Sequence, residues 1–533
     1  MMLERSGSGG RSGSIPQTDG SGSGMPKKMW IWWNRILNRI RNTFNADLQH
    51  CLQINSYLNN LYFSAEVGVS AAEISVLQEK MQSNPFVDLQ EEFSSYYKIN
   101  KQTEGSRHYI APREIKLPPN ASGKVCTFQY VPIVETVTAI LSDPEFDLQM
   151  QAPTQEGLLY DIKDGSAWKE NPFFVANPEA LTGQLYSDAV ELDNALGPTK
   201  GKHKALNVYF TLVDLHNPLR SNKENIFLVL SVVEKELKEN KENYQHFFRP
   251  LVDDLKKLEA GVKIGDKTVK VGLICYAADN LEASSIGGFS MCFSSADVCR
   301  VCHLQYEDLP EVTGVPNKDL WTREEYDSAV ANIQPGVRGK YGVNSACIFN
   351  ELQAFHCVDQ LPLDIMHDFM ERVAAFDAMS ILKVLISSGQ FTYDNYNSLI
   401  NDVKLGSYEA GDRPLPVNAK HNKIQGKAMS VCLHLRLMPY FVWRILGGNV
   451  VDSDALDLLV ILTRIQEYLL ADQLSTQDIE NFDELVVEYF HKRKICEEQY
   501  TTFIRPTPKY HFLGTGTFLK FSLYFLRIKL LNF

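Results

Sequence analysis

Cys299 and Cys302 form a C-x-x-C pair, and two histidines follow, His356 in Ala-Phe-His and His367 in Ile-Met-His-Asp. Two thiolates at that spacing reach one ion. Structural zinc takes four nitrogen or sulfur ligands in a tetrahedron, and two Cys with two His is a common set. The gap from the cysteines to the histidines is too long for a compact zinc finger, so such a site would staple an extended segment. His303 also adjoins the pair, and an intracellular C-x-x-C can be redox-active instead.

A second constellation is made of acids at the ends of apolar runs. Asp279 follows Val271–Tyr276, and Asp188, Glu191 and Asp193 are candidates for a partner on an earlier strand. Carboxylates on neighbouring strands can hold two divalent ions about 3.5–4 Å apart, which clamp the attacking and leaving oxygens of a phosphodiester. Mg2+ or Mn2+ would be the ion for such a set, because hard cations take oxygen ligands. Asp also ends strands for turn reasons alone. The third constellation is Leu361-Pro-Leu-Asp-Ile-Met-His-Asp-Phe-Met-Glu371, where His367 and Glu371 share a helical face. This is not the H-E-x-x-H of a zinc protease. Glu371 can bind metal as a catalytic acid, orient His367, or lie on a solvated face. The fourth is the basic loop with Lys200, Lys202 and Lys204, joined by Arg338 and Lys340. Such charges would hold a phosphate backbone, or remain solvated.

The elements that must position these residues follow from periodicity. Leu181–Leu192, Ala205–Leu212, Ile226–Val233 and Val269–Tyr276 read as strands. Glu242–Glu259 reads as a helix with Phe247, Leu251, Leu255 and Leu258 on one face. The order is strand, strand, strand, helix, strand. Beyond residue 376 the pattern is helical, over Phe376–Ile386, Ala428–Leu446, Asp454–Leu470 and Ile479–His491. Residues 60–170 carry weak signals broken by prolines, with helical pieces at Ala71–Gln82 and Ile133–Leu141. Residues 1–24 are a Gly/Ser-rich leader expected to be flexible. Residues 25–45 read as a basic amphipathic helix, able to dock on the protein itself or on a membrane surface, nucleic acid or partner.

Composition sets the bounds. The chain has 533 residues, 44% hydrophobic and 22% charged, enough apolar content for a real core. That length allows about three or four domains. A net charge of -12 disfavours a surface that coats nucleic acid throughout, but leaves room for a local basic groove. Ten cysteines are too sparse for a disulfide scaffold. No signal-peptide core stands at the start, and Phe512–Phe533 is broken by Lys520, Arg527 and Lys529. A soluble, intracellular protein with no membrane span is expected.

Taken in order, several segments resemble one family. They are Tyr186–Gly197, the Gly-Lys-His-Lys loop, Ala278-Asp279-Asn280-Leu281 with Gly287-Gly288-Phe289, and Cys299-Arg-Val-Cys302. Tyr341-Gly-Val-Asn344, Phe355-His356 and the Leu361–Glu371 stretch complete the series. Together they resemble the transposases of CACTA (En/Spm-like) DNA transposons over about residues 100–510. The resemblance implies an α/β fold with an RNase H-like core at 171–290, made of an antiparallel meander, a further strand and flanking helices. It implies a Cys/His-containing insertion at 291–375 with structural Zn2+, a helical region at 376–510, and a nuclease that cuts transposon ends with divalent metal. Asp279 matches the second acid and Asp188 the first. Cys299, Cys302 and His367 fall on motif positions, as does His356. DNA is the implied partner, with self-association open, and the nucleus the implied location.

The departures matter as much. Ala189 replaces the second Asp of a family Asp-Asp, Ala195 replaces the Pro of Asn-Pro-Leu-Gly, and Arg372 replaces a Gly. The family continues past Pro508-Lys-x-His511 into an Arg-Phe-Glu-x-Lys-His pattern, whereas here an apolar tail covers 511–533. These features point to a decayed or host-captured copy, which leaves three readings: a protein impaired in catalysis that retains DNA or protein binding, an active divalent-metal-dependent transposase, or a product with no function of its own.

Overall fold

In the computed structural model the described residues are 109–142, 157–191, 204–220, 222, 225–240, 242–294, 296–314, 319–334, 337, 339–447 and 453–515. The leader, the basic amphipathic helix, Ala71–Gln82 and the part of the tail beyond Thr515 lie outside them. All described residues belong to one compact unit.

Ten strands are described: β1 Arg113–Lys116, β2 Thr127–Tyr130, β3 Leu158–Leu159, β4 Leu181–Glu191, β5 Lys204–Leu212, β6 Phe227–Val233, β7 Val262–Ile264, β8 Lys267–Val269, β9 Val271–Ala277 and β10 Leu474–Ser475. Six of them form one sheet in the order β1-β2-β6-β5-β4-β9. The β4, β5 and β6 strands are an antiparallel meander, and β2 and β1 extend it antiparallel on the β6 side. The β9 strand joins β4 in parallel, with Leu185 opposite Tyr276 and Tyr186 opposite Ala277. A parallel pair needs a crossover, and helix α2 (Glu242–Ala260) supplies it.

The burial pattern explains why the strands read clearly in the sequence. Every residue of β9 is buried, as expected of a strand covered on both faces. On one face Phe247, Leu251, Leu255 and Leu258 of α2 pack with Phe128, Val208, Phe210 and Tyr276. Each such side chain contributes roughly 1.5–3 kcal/mol on full burial. On the other face Phe173 and Phe174, from the short helix Pro172–Ala176, meet Val213, Ile274 and Cys275. Gly272 is required there, because a Cβ would lie 2.5 Å from the Phe173 ring. The expected strands and the α2 helix are found within two residues of their predicted bounds. Residues 60–170, expected to be irregular apart from helices, supply β1 and β2 as well as helix α1 (Ile133–Ser142).

Beyond β9 the chain turns into α3 (Asn280–Ile286) and then an irregular stretch that holds Cys299 and Cys302. After it comes α4 (Arg323–Ala331), capped by a Thr322/Glu325 box. A π-helical segment, Met366–Ala374, runs into α5 (Ala375–Ser387). The helices α6 (Tyr393–Asp402), α7 (Ala428–Ile445), α8 (Asp454–Leu470), α9 (Thr476–Gln499) and α10 (Pro508–Leu513) follow. Their apolar faces share a second core that also encloses the two cysteines. Among the described residues no helix is long and apolar enough to cross a membrane.

A buried ionic knot closes this helical lobe. Asp377 on α5 is fully buried. Its Oδ2 accepts from Tyr489 Oη at 2.5 Å and Arg493 Nε at 2.9 Å, and its Oδ1 accepts from Tyr510 Oη at 2.7 Å. Arg493 also donates to Glu497 and to the Ile504 carbonyl. Truncating one partner would leave a buried charge uncompensated. We predict that Asp377→Ala lowers the urea-unfolding free energy by about 3–5 kcal/mol, and an effect below about 1 kcal/mol would refute this role.

Candidate metal centre

Cys299 and Cys302 sit in a tight knuckle flanked by bridges between Asp297 and Gln305 and between Cys302 and Leu320. Within it the Val301 N–H donates to Cys299 Sγ at 3.3 Å. Arg300, between the cysteines, is buried and donates to Asn280 Oδ1 at 2.5 Å and to the Pro362 carbonyl at 2.8 Å. Asn280 in turn donates to Asp368 Oδ1. This chain of bonds fixes the knuckle to the end of the sheet and to the π-helical segment.

The third member of the cluster comes from α10. Pro508 sits at its first turn, where no backbone N–H is needed, and His511 points back to the knuckle. Its Nε2 lies 3.1 Å from Cys302 Sγ. All three residues are buried, and their ligand atoms lie within 4.8 Å of one another. Among the described residues this is the one group of three or more Cys, His, Asp or Glu side chains gathered so closely. Two sulfurs and one imidazole nitrogen, dry and preassembled, make a cluster that can bind a metal ion. Burial pushes the Cys299 thiol up, but hydrogen bonds from Cys302 and from backbone N–H groups, with the Arg300 charge, bring it below the ordinary thiol value. Cys302 is raised, first by its hydrogen bond to Cys299 and then by burial.

The expected histidines lie elsewhere. His356 has its Nε2 3.4 Å from Asp327, and its Nδ1 accepts from Val358 N–H at 3.3 Å. His367 pairs through Nδ1 with the buried Asp364, whose Oδ1 also accepts from the Met366 and His367 N–H groups. The cluster therefore takes His511 in place of both, because α10 brings it to the sulfurs from 209 residues away. His303 is packed between Trp321 and Tyr341. The signal for His511 in the sequence was its place in the Pro508-Lys-x-His511 stretch, and no local spacing rule links that stretch to the cysteines.

The acids divide in the same way. The Tyr186–Ala277 register leaves Asp188 and Asp279 each two residues further along neighbouring segments. Asp188 accepts from Ala189 N–H at 2.9 Å. Asp279 is exposed and caps α3, accepting from Glu282 N–H at 2.8 Å. Glu371 lines a separate cleft together with His367, so the two do share a face. Among the described residues, Asp188, Asp279 and Glu371 do not form a three-ligand cluster. Lys204 starts β5 opposite Glu191 in the register. Lys200, Lys202, Asp193 and Arg338 lie outside the described residues. No family model matches the chain, and no curated protein is a significant match.

Purified protein should carry about one thiophilic metal ion per chain, and its removal by a chelator should cost about 3 kcal/mol or more. Cys302→Ser should abolish both the metal and the chelator effect, and a protein that melts identically with and without chelator would contradict the site. A second prediction concerns Asp368, which is fully buried. Burial pushes it up to about 7 from an ordinary 3.8, against the pull of Lys509. The folded state thus holds this proton more tightly than the unfolded chain. The group's contribution is complete below pH 3.8 and is lost as pH rises toward 7. Between those limits wild type should lose up to about 4 kcal/mol relative to Asp368→Asn in denaturant titrations. Parallel pH profiles for the two proteins would rule this out.

Proposed function

We propose that this chain is a transposase-derived protein on an RNase H-like core, impaired in strand cleavage and retaining DNA or protein binding, with DNA the partner tested below. The observation that carries the reading is the strand order. An antiparallel meander is followed by a crossover helix and a fourth strand parallel to the first, the order in which such a core opens. Asp188 and Asp279 lie two residues past the last β4–β9 pair, Tyr186 with Ala277. In a competent nuclease of this plan, two divalent ions held there would stabilise the attacking and leaving oxygens. Asp188 and Asp279 would supply the oxygen ligands. The ordered resemblance to CACTA transposases supplies DNA as the partner and the nucleus as the place of action.

Impaired cleavage is supported by particular residues. Asp279 is engaged as a helix cap, Ala189 stands where the family has a second Asp, and Glu371 lines a cleft with basic residues. The sulfur–nitrogen set of the metal centre favours zinc in a structural role, stapling the knuckle to α10. A second reading, an active Mg2+- or Mn2+-dependent endonuclease, is favoured by the shared end of β4 and β9.

One experiment separates them. Duplex DNA should bind, and raising salt from about 50 to 200 mM should weaken binding at least tenfold. Transposon-end DNA should stay uncut in Mg2+ or Mn2+. Metal-dependent cutting that Asp279→Ala abolishes would replace the impaired reading with the active one. Absent or salt-independent binding would reject the DNA partner.

A further inference from the structure

The π-helical segment and α10 face each other across a cleft of about 400 Å3. Three cations line it: Arg372, Lys423 and Lys509. Arg372 stacks over the Phe376 ring at 4.2 Å, and neither it nor Lys423 has an acid partner among the described residues. Lys509 donates to the His367 carbonyl at 2.8 Å and lies 3.9 Å from Asp368. The single acid in the lining is Glu371. In a chain of net charge -12, two cations without an acid partner in one concavity, Arg372 and Lys423, are a local exception that calls for an anion. A second feature points the same way. Thr507 lines the cleft, and its buried Oγ1 has no hydrogen-bond partner among the described residues, a cost that a ligand oxygen would relieve.

We infer that this cleft binds a nucleotide through its phosphate, either as a free mononucleotide or as the phosphorylated end of a nucleic-acid strand. Arg372 and Lys423 meet the phosphate oxygens, as guanidinium and ammonium groups do, and Thr507 donates its hydroxyl. The volume fits a ligand larger than bare phosphate, within the usual range of small-molecule sites. Phe293, half-buried on the rim, offers a ring face on which a base stacks. Glu371 accepts from a sugar hydroxyl or a base amino group, donors that inorganic phosphate lacks, and so selects the nucleotide over the bare ion. The inference rests on neither the proposed ancestry nor the metal.

The test uses the full chain and four probes in a calorimetric or anisotropy titration: adenosine monophosphate, inorganic phosphate, and a short single-stranded oligonucleotide with and without a 5′-phosphate. Expected is saturable binding of the mononucleotide, the phosphorylated strand or both, each at least about tenfold tighter than inorganic phosphate. Binding of the mononucleotide identifies a free nucleotide as a source, and binding of the phosphorylated strand alone identifies a strand end. Arg372→Ala and Lys423→Ala should each weaken that binding about tenfold or more, with an unchanged melting temperature showing that the fold is kept. Three results would each overturn the inference: no binding of either phosphorylated probe, equal binding of the strand with and without its phosphate where the mononucleotide does not bind, or affinity unmoved in both variants. Binding to internal duplex DNA does not depend on a terminal phosphate, so failure here is distinguishable from failure of the transposase reading.

Discussion

The placement of α10 depends on one buried ion pair. Asp377 and Arg493 are almost wholly removed from water, at 0% and 2% exposure, and burying two charges costs several kcal/mol each before any gain. The cost is offset because the bonds are made: two tyrosine hydroxyls and the guanidinium fill the carboxylate, while Glu497 and the Ile504 carbonyl take further Arg493 donors. Tyr510 belongs to this knot, and His511 and Phe512 come next in the chain. The knot thus aims the imidazole at the knuckle and sets one wall of the cleft.

A second buried cation does the same work from the sheet side. Arg300 lies between the two cysteines and reaches Asn280, just past the Asp279 cap, and the Pro362 carbonyl ahead of the π-helical segment. The Cys299, Cys302 and His511 cluster lies between these two networks, with the cysteines from the middle of the described chain and the histidine from near its end. A metal ion there would close a loop of 209 residues, and the entropy cost of closing a loop grows only slowly with its length. The π-helical segment is the shared element. It carries Asp368 toward Arg300 and Lys509, and presents His367, Glu371 and Arg372 to the cleft. Such irregular turns recur at functional sites because they re-aim side chains without breaking the helix.

The central sheet was largely legible because its strands are buried apolar runs. Val271–Ala277 is buried throughout, and a run of that kind needs no context to be read. The β1 and β2 strands were not legible, since four-residue strands among Pro112, Pro118, Pro119 and Pro132 carry too little periodicity. Two of the three members of the candidate metal cluster were visible in C-x-x-C, a local signal. The histidine was not, because ligand choice over 209 residues is decided by how α10 docks. His356 and His367 are nearer in sequence, yet each is held by an acid and by its own helix start. The basic cleft was invisible for the same reason: Arg372, Lys423 and Lys509 come from three separate segments and form no charge run.

The central question is whether His511 and the two cysteines share one ion. X-ray absorption at the edge of the metal carried by the purified full-length chain measures this directly. The account predicts a first shell containing two sulfur scatterers at about 2.3 Å and one imidazole nitrogen at about 2.0–2.1 Å if the metal is zinc, with the imidazole signature lost in His511→Ala. A shell of sulfur alone, a shell of nitrogen and oxygen alone, or an imidazole signature that survives in His511→Ala would contradict it.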